Sequence, residues 1–242
     1  MNNFSIKTKY NILAITLARG GSKGVKNKNS KKINKKPLIA FTIIEAKKSK
    51  YISDYIVSTD SKNISRIAKK YGALVPFLRP KKLSTDKSSS ALALIHATKF
   101  MERLKKKKYD YVVELMCTNP LKTVKDIDAI IKKIIKTKSD SVIAVNQIFD
   151  HHPARVKKII RDKIYNFCIN EKLESRRQDL KPKAYVRSGS IYALNRDYLM
   201  NKKKRYGSKN SRPYILPEER TINIDNILDF YVAEKKLKML KN

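Results

Sequence analysis

The chain has 242 residues, of which 41% are hydrophobic, so it is long and apolar enough to bury a substantial core. It carries 56 Lys and Arg residues against 21 Asp and Glu, which gives a formal net charge of +35 at pH 7. No apolar run approaches the ~20 residues of a membrane-spanning helix, and the first ten residues, MNNFSIKTKY, lack the apolar region of a secretory signal. We therefore expect a cytoplasmic protein with no membrane partner.

The positive charge is spread along the whole chain and comes mostly from lysine, with no basic tail and no repeated Arg and aromatic module. This distribution favours a solvated lysine surface over a nucleic-acid interface, so we expect nucleic acid to bind only non-specifically. Cys117 and Cys168 are the only cysteines, and no spacing of Cys and His residues indicates zinc. A bound metal would therefore be a hard ion held by carboxylate and phosphate oxygens.

The first 146 residues alternate short apolar runs with amphipathic stretches. In chain order, the pattern predicts strands at 12–17, 55–58, 73–75, 111–116 and 141–145, and helices at 37–49, 62–71, 88–104 and 123–136. The last of these helices repeats isoleucine at the spacing of one helical face, and Thr123 with Asp126 resembles a capping box. Alternation of this kind predicts an α/β fold with a mostly parallel central sheet flanked by helices.

The pattern changes after Asn146. Residues 151–170 are typical of short strands with a turn near Arg161 and Asp162, and residues 171–183 are polar and loop-like. A strand at 184–194 and a last helix from about 226 to 238 complete the chain.

A glycine-rich loop follows the first predicted strand, in the sequence ARGGSKGVKNKN at 18–29. Glycine lets a backbone approach a ligand closely, and successive free N–H groups form an anion site to which arginine and lysine add charge. The spacing matches neither the P-loop nor the GxGxxG fingerprint, and a flexible basic turn is the plain alternative. Since ligands of parallel sheets bind beyond the carboxyl ends of the strands, where Asp60 and Asn119 also fall, we expect a nucleotide site there.

An ordered series of motifs resembles the acylneuraminate cytidylyltransferases, or CMP-N-acetylneuraminic acid synthetases. The motifs are LARGGSKG (17–24), KPLIAFTI (36–43), IVSTD (56–60), LRP (78–80), LSTDKSS (83–89), TNPLK (118–122), RSGSIY (187–192) and PEERTINID (217–225). Together they span nearly the whole chain. The resemblance implies a Rossmann-like nucleotidyltransferase fold in one domain, 1–242, with a small inserted segment at about 147–183 for dimerisation and sugar contact.

The implied reaction joins CTP to a sialic-acid-like nonulosonic acid, releasing pyrophosphate and requiring Mg²⁺. Negative charge grows on the phosphates as they separate, so the site must aim cations and N–H dipoles at them. The resemblance implies a homodimer and leaves other acceptors open: legionaminic, pseudaminic or eight-carbon ulosonic acid. A basic nucleic-acid-binding module without catalysis is the alternative from another class.

The resemblance assigns Arg19 and Lys28 the catalytic role of holding the triphosphate. The nucleotide-binding residues that it implies are Arg19, Gly20, Gly21, Ser22, Lys23, Lys28, Asn29, Arg79, Ser88 and Ser89. The resemblance implies that Asn29 reads the cytosine edge, a role that suits an amide because it both donates and accepts hydrogen bonds. N-capping of the following helix is a competing or simultaneous use for Ser88 and Ser89.

The implied sugar-binding residues are Thr118, Asn119, Arg177, Gln178, Arg187 and Ser188. We expect Asp225 to hold the metal at the end of an alternating run, 221–224, with N-capping of the last helix as its alternative. We interpret Asp60 as a helix cap more than a ligand.

Three departures from the family pattern lie toward the sugar or the metal. Asn223 stands where many members have a second carboxylate, and Ser188 where they have asparagine. Residues 116–120 read MCTNP where a glutamine followed by PTSP is common. Because the phosphate loop is intact, these departures bear on the sugar and the metal and not on nucleotide binding. A family member that binds CTP without turning it over is a third alternative.

Overall fold

A computed structural model of the protein describes residues 9–21, 24–172 and 174–240. These ranges contain ten strands and six α-helices. The strands are β1 Ile12–Leu17, β2 Lys32–Ile33, β3 Lys36–Pro37, β4 Asp54–Ser58, β5 Tyr111–Leu115, β6 Ser141–Ile148, β7 Lys157–Ile160, β8 Lys163–Asn166, β9 Ala184–Asn195 and β10 Ser211–Ile215. The helices are α1 Leu38–Lys48, α2 Lys62–Lys70, α3 Ser90–Lys105, α4 Val124–Thr137, α5 Arg196–Lys202 and α6 Ile227–Met239.

Six strands form the central sheet in the order β10-β6-β9-β5-β1-β4. β1 is parallel to β4 and β5, and β6 is parallel to β10. β9 is antiparallel to both of its neighbours, β5 and β6, so it alone runs against the other five. The predicted mostly parallel α/β sheet is therefore confirmed, and the carboxyl ends of five strands meet at one edge.

The central strand β1 is buried on both faces, as its unbroken apolar sequence requires. Ile12 and Ala14 pack in one cluster with the isoleucines of α4. Leu13 and Ile15, which point to the opposite face, pack with the apolar face of α3. A third cluster joins α1, α2 and α6. Helices thus cover both faces of the sheet and leave the strand ends to form the site.

The structure differs from the prediction at two segments with strand-like patterns and at elements that the pattern missed. Residues 73–75 form no strand, because only Leu74 bridges to Ile56 of β4. Residues 221–224 are irregular, since Ile224 donates its N–H to the Thr118 carbonyl in a loop and not to a strand. α5 and β10 were not predicted. β10 contains Pro213, which lacks an N–H and is tolerated because this strand lies at the edge of the sheet.

The segment 147–183 carries the β7–β8 hairpin, whose strands pair antiparallel. Arg161 and Asp162 have positive φ values of 47° and 59°, as a tight hairpin turn requires, so the predicted turn is confirmed. The hairpin exposes large apolar side chains: Ile159 is 74% exposed and Ile164 is 73% exposed. None of the helices in the described ranges has the length and hydropathy of a membrane span.

Candidate active site

A cleft of ≈ 540 Å³ opens beyond the ends of β1 and β5, beside the start of α3. Its walls come from the glycine-rich loop, the segment before α3, the loop after β5 and the segment before α6. The predicted nucleotide, sugar and metal residues that line it are Arg19, Lys28, Asn29, Arg79, Ser88, Ser89, Thr118 and Asp225. Residues that are widely separated in sequence therefore meet at the predicted edge of the sheet.

The glycine-rich loop is held from both sides. The Gly20 N–H donates to the Asp60 carboxylate at 2.9 Å. A Cβ at Gly24 would stand 2.1 Å from the carbonyl oxygen of Asp225, so only glycine allows this approach. Gly20 and Gly21 do not line the cleft themselves. Ser22 and Lys23 lie outside the described residues, and their predicted roles stay predictions.

Arg19 and Lys28 both bring positive charge to the cleft, and each is paired with a carboxylate that also lines it. Arg19 Nη1 lies 2.5 Å from Asp86 Oδ1. Lys28 Nζ donates to the Ile224 carbonyl at 2.7 Å and to Asp225 Oδ1 at 3.2 Å. The two cations therefore face one cavity of a size suited to a nucleotide.

Asn29 and Arg79 are the most deeply buried of the predicted nucleotide residues, with exposures of 7% and 5%. Asn29 Nδ2 donates to the Arg19 carbonyl at 3.1 Å, so its amide braces the loop. Arg79 Nε donates to Ser84 Oγ at 3.0 Å. Burial and the nearby charge of Arg19 lower the pKa of Arg79, whereas the carboxylate of Asp60 raises it. Arg79 thus adds a further positive charge to the cleft.

Ser88 and Ser89 combine local structure with a place in the cleft wall. Ser89 is the N-cap of α3, accepting from the Ala91 N–H at 3.2 Å. Ser88 accepts from the Thr85 N–H and donates to the Lys82 carbonyl. The capping use is present for Ser89, and nucleotide contact by both serines stays a prediction.

The two interpretations of helix caps at the strand ends are wrong. Ser61, and not Asp60, is the N-cap of α2, because Asp60 is engaged by the glycine-rich loop. Asn226, and not Asp225, is the N-cap of α6, in a capping box with Asp229. Both aspartates are therefore available to shape the site.

Asp225 has its side chain 65% exposed at the mouth of the cleft. It accepts from Lys28 and from Asn223 Nδ2. Asn223, which replaces a family carboxylate, thus orients Asp225 in place of supplying charge. Among the described residues no group of three or more His, Cys, Asp or Glu could hold a metal. A cation here would need phosphate oxygens to complete its ligands, as Mg²⁺ often does.

The predicted sugar residues do not all meet in this cleft. Thr118 lines it, with its hydroxyl donating to the Gly189 carbonyl at 3.0 Å. Asn119 is fully buried, where it donates to the Arg220 carbonyl and accepts from the Leu121 N–H. Ser188 is buried and donates to the Ala144 carbonyl. These internal contacts give Asn119 and Ser188 structural roles and offer no support for sugar contact.

The three remaining sugar candidates lie elsewhere. Arg177 and Gln178 line a separate small cavity within the 147–183 segment, where the Arg177 guanidinium stacks 4.5 Å from the Phe149 ring. Arg187 is exposed on β9 and stacks 4.2 Å from the ring of Tyr206. In the described chain these arginines are not brought into the nucleotide cleft, so their sugar role stays a prediction.

Sequence reasoning missed Lys122, which fixes the loop after β5. Its ammonium is buried and donates to Thr42 Oγ1 at 2.8 Å and to the Met116 and Asn119 carbonyls, each at 2.6 Å. Burial lowers the pKa of Lys122 to about 8. Burial likewise raises the pKa of the Cys117 thiol in the same loop to about 12, so that thiol is not a nucleophile at neutral pH.

The segment before α6 is anchored by a second unpredicted contact. Asp126 of α4 is fully buried and accepts from Arg220 Nε at 3.1 Å and Nη2 at 2.9 Å. Arg220 and hydrogen bonds from Thr123 lower the pKa of Asp126 against the effect of burial. This fork holds the chain that leads to Asp225.

A third missed residue is Glu114, buried in β5 and lining the floor of the cleft. Arg205 Nη1 donates to its Oε2 at 2.7 Å. A single glutamate within the otherwise apolar YVVEL of the β5 sequence was the available signal for it.

Comparison with known proteins agrees with this architecture. A family model described as Cytidylyltransferase matches residues 13–239. Post-translational flagellin modification protein B of Campylobacter coli is 33% identical over 94% of this chain and 95% of its own. CMP-N,N'-diacetyllegionaminic acid synthase of Campylobacter jejuni is 33% identical over 92% of this chain and 93% of its own. N-acylneuraminate cytidylyltransferase of Escherichia coli is 31% identical over 92% of this chain and 51% of its own.

The fold is shared with a solved CMP:2-keto-3-deoxy-manno-octonic acid synthetase in complex with CTP. That structure superposes with a TM-score of 0.66 at 16% identity, over 96% of this chain and 99% of the other. The predicted resemblance is confirmed: the chain belongs to the cytidylyltransferase family of nucleotidyltransferase enzymes.

Proposed function

We propose that the protein transfers the cytidylyl group of CTP to a sialic-acid-like nonulosonic acid. The anomeric hydroxyl oxygen forms a bond to the α-phosphorus, the bond from that phosphorus to the β-phosphate oxygen breaks, and pyrophosphate leaves as the hydroxyl proton is released. The observation that carries the proposal is that Arg19 and Lys28 face one cavity beside a loop closed on Asp225. Such charges stabilise the departing pyrophosphate.

The acceptor is proposed at the level of the class. Relatives are named for diacetyllegionaminic, pseudaminic and acylneuraminic acids. In this chain Met116 and Cys117 line the cleft where the family pattern commonly has glutamine and proline. Legionaminic or pseudaminic acid is the second candidate, supported by the relatives that are named for these acids.

We also propose that Mg²⁺ is held by Asp225 together with phosphate oxygens of CTP. The exposed carboxylate at the mouth fits a cation that retains water and substrate ligands. The ion would neutralise phosphate charge, while Lys28 keeps Asp225 oriented toward the cleft. Chelation by EDTA should stop pyrophosphate release, and added Mg²⁺ should restore it.

A homodimer and a cytoplasmic location complete the proposal. The exposed apolar residues of the β7–β8 hairpin support the dimer, because a solvent-facing two-stranded ribbon with Ile159, Ile164 and Phe167 on its surface lacks a covered face. The position of this hairpin within 147–183 agrees with the expected dimerisation segment.

The test measures pyrophosphate release from CTP, ATP, GTP and UTP with a panel of nonulosonic and eight-carbon acids. We expect release with CTP and at least one acid, and a fall of at least a hundredfold in kcat/KM for Arg19→Ala. Arg212→Ala removes an exposed arginine of β10 outside the cleft and should keep full activity. No release with any acid, or an active Arg19→Ala variant, would contradict the proposal.

A further inference from the structure

A second concave surface lies at the edge of the sheet opposite the nucleotide cleft. It is a hollow of ≈ 610 Å³, lined by the second half of α3, by residues 106–108 and by Arg196 at the start of α5. Residues 106–108 lead into β5, and Arg196 follows β9, which is antiparallel to β5, so both segments lie where the parallel strands begin. Among the described residues, none lines both the hollow and the nucleotide cleft.

The hollow is strongly basic. Of the eight described residues that line it, six are Lys or Arg, one is His96 and one is Glu102. Both carboxylate oxygens of Glu102 are already engaged. Its Oε1 accepts from Arg196 Nε at 2.9 Å and from the Tyr109 N–H at 3.3 Å, and its Oε2 accepts from Arg196 Nη2 at 2.8 Å. Glu102 therefore fixes Arg196 in place and is no counterion for the other cations.

Three cations of the hollow form no ion pair within the described part of the chain: Lys99, Arg103 and Lys106. They follow one face of α3 at spacings of four and three residues, and with His96 one turn earlier the row is about 15 Å long. Like charges at such spacings repel and destabilise a helix. The helix dipole favours cations in the last turn, but Lys99 lies before that turn. The row is therefore better explained by an anion from outside the chain than by the stability of α3.

The chain turns at the end of α3 and adds two further lysines to the hollow. Lys106 is the C-cap of the helix, with a φ of 50°. Because this residue is left-handed, the chain leaves the helical path, and Lys107 and Lys108 line the same hollow. Lys107 Nζ lies 2.8 Å from Asp54 Oδ2, and Lys108 Nζ lies 3.1 Å from Asp197 Oδ1. These ion pairs hold the two lysines beside the unpaired row.

His96 is exposed to the field of these cations. Its ring lies against Phe77, with the ring centres 4.9 Å apart, and in the described chain its buried Nδ1 has no hydrogen-bond partner. Burial lowers the pKa of His96, and the charges of Arg103, Arg79 and Lys82 lower it further. An anion bound beside Arg103 would offset part of this effect and raise the pKa of His96.

The lining of the hollow favours a chain of phosphates over a nucleobase. Among the described residues that line it there is no Phe, Tyr or Trp, so no aromatic surface is offered on which a base could stack. An ammonium group binds phosphate as a point charge, and a guanidinium binds it through two N–H groups. A row of such groups about 15 Å long suits a linear polyanion better than a single phosphate ion.

We propose that the hollow is a second anion site, which binds a linear oligophosphate chain through Lys99, Arg103 and Lys106. The chain could be free or the phosphate tail of a nucleotide, since both present the same oxygens to the row. The site lies apart from the nucleotide cleft and does not depend on the proposed use of CTP.

The first experiment follows the ring signals of His96 by NMR while full-length protein, with isotope-labelled histidine, is titrated with inorganic tripolyphosphate at ~0.15 M salt. The chain has three histidines, so His96→Gln assigns the signals. We expect a saturable change and a raised pKa of His96. In the double variant Lys99→Gln, Arg103→Gln the affinity reported by His96 should fall at least tenfold. A wild-type affinity in this variant overturns the proposal, including the case in which tripolyphosphate acts on His96 only from the nucleotide cleft.

The matched control removes the same two residue types at the same spacing from the exposed face of α2. Arg66→Gln with Lys70→Gln should keep the tripolyphosphate affinity within about threefold of wild type, because screened surface charges contribute little. An equal loss in both double variants would show general attraction to a basic protein and overturn the site. Since all four side chains are exposed, both variants should keep the wild-type melting temperature.

A second series compares tripolyphosphate with GTP and with a uridine oligonucleotide that carries the same number of phosphates. The three ligands should bind the hollow with affinities within about tenfold of one another if only phosphates are contacted. Binding of GTP or of the oligonucleotide more than tenfold tighter than tripolyphosphate would show recognition of bases and overturn the assignment. The readout is local to His96 and needs no turnover, so failure of the protein to use CTP would count against the proposed function alone.

Discussion

Replacement of Gly24 by alanine tests how the glycine-rich loop is joined to the segment before α6. The added Cβ would lie 2.1 Å from the Asp225 carbonyl oxygen, whereas an ordinary contact is no shorter than 3.4 Å. The obstacle is backbone, so the loop and residues 223–225 must separate by about 1 Å. The Lys28 contacts with Ile224 and Asp225 lengthen with them. A misplacement of about 1 Å costs on the order of a hundredfold in rate, so kcat/KM for CTP should fall by that factor.

The assay is steady-state pyrophosphate release, with thermal melting measured in parallel. Gly21→Ala is the matched control for adding a methyl group to the same loop, because its Cβ would meet nothing within 4 Å. This control should retain the wild-type melting temperature. If Gly24→Ala kept wild-type affinity and turnover for CTP, the close approach of loop and segment would not be what shapes the phosphate site.

Three further outcomes follow from buried or exposed groups. Burial lowers the pKa of Lys122 to about 8, below that of a lysine in the unfolded chain, so above pH 8 the unfolded state binds more protons than the folded state. The free energy of unfolding of wild type in urea, relative to that of Lys122→Met, should therefore rise by up to roughly 3 kcal/mol between pH 7.5 and 10.5. A difference that stays constant with pH would refute the lowered pKa. Asp126→Asn breaks the buried ion pair with Arg220 and should lower the free energy of unfolding by about 3–5 kcal/mol. Glu219→Gln removes an exposed partner of the same arginine and should lower it by under about 1 kcal/mol. Similar losses in the two variants would contradict the role of burial. Ile164→Glu places a charge on the exposed hairpin and should convert a dimer to a monomer in light scattering, and an unchanged mass would exclude this face as the interface.

The central part of the fold was predictable because its pattern is local. The isoleucine spacing of α4 and its capping box, Thr123 with Asp126, give both the element and its start, and the structure has both. The uninterrupted run of β1 gives a strand that is buried on two faces. The direction of β9 was not predictable in this way, because alternation along a strand says nothing about which strands it will pair with.

Site residues could be predicted where their role follows from the residue type and from its position after a strand. Residues whose role depends on contacts formed only in the folded chain could not be predicted. Arg19 and Lys28 follow a strand and meet in the cleft as expected. The engagement of Asn29 by the Arg19 carbonyl depends on the folded path of the loop, so no spacing in the sequence could have shown it. The same holds for Lys122, whose three acceptors come from 80, 6 and 3 residues away.

The contact between Lys28 and the Ile224 carbonyl joins residues 196 positions apart. During translation at ordinary rates, roughly 10–40 s therefore pass between the appearance of the two partners at the ribosome. The ribosome therefore releases β1, β4 and β5 well before the segment before α6, which forms another wall of the nucleotide site. We therefore expect a chain released before Ile224 to lack this wall of the site and to turn over no nucleotide.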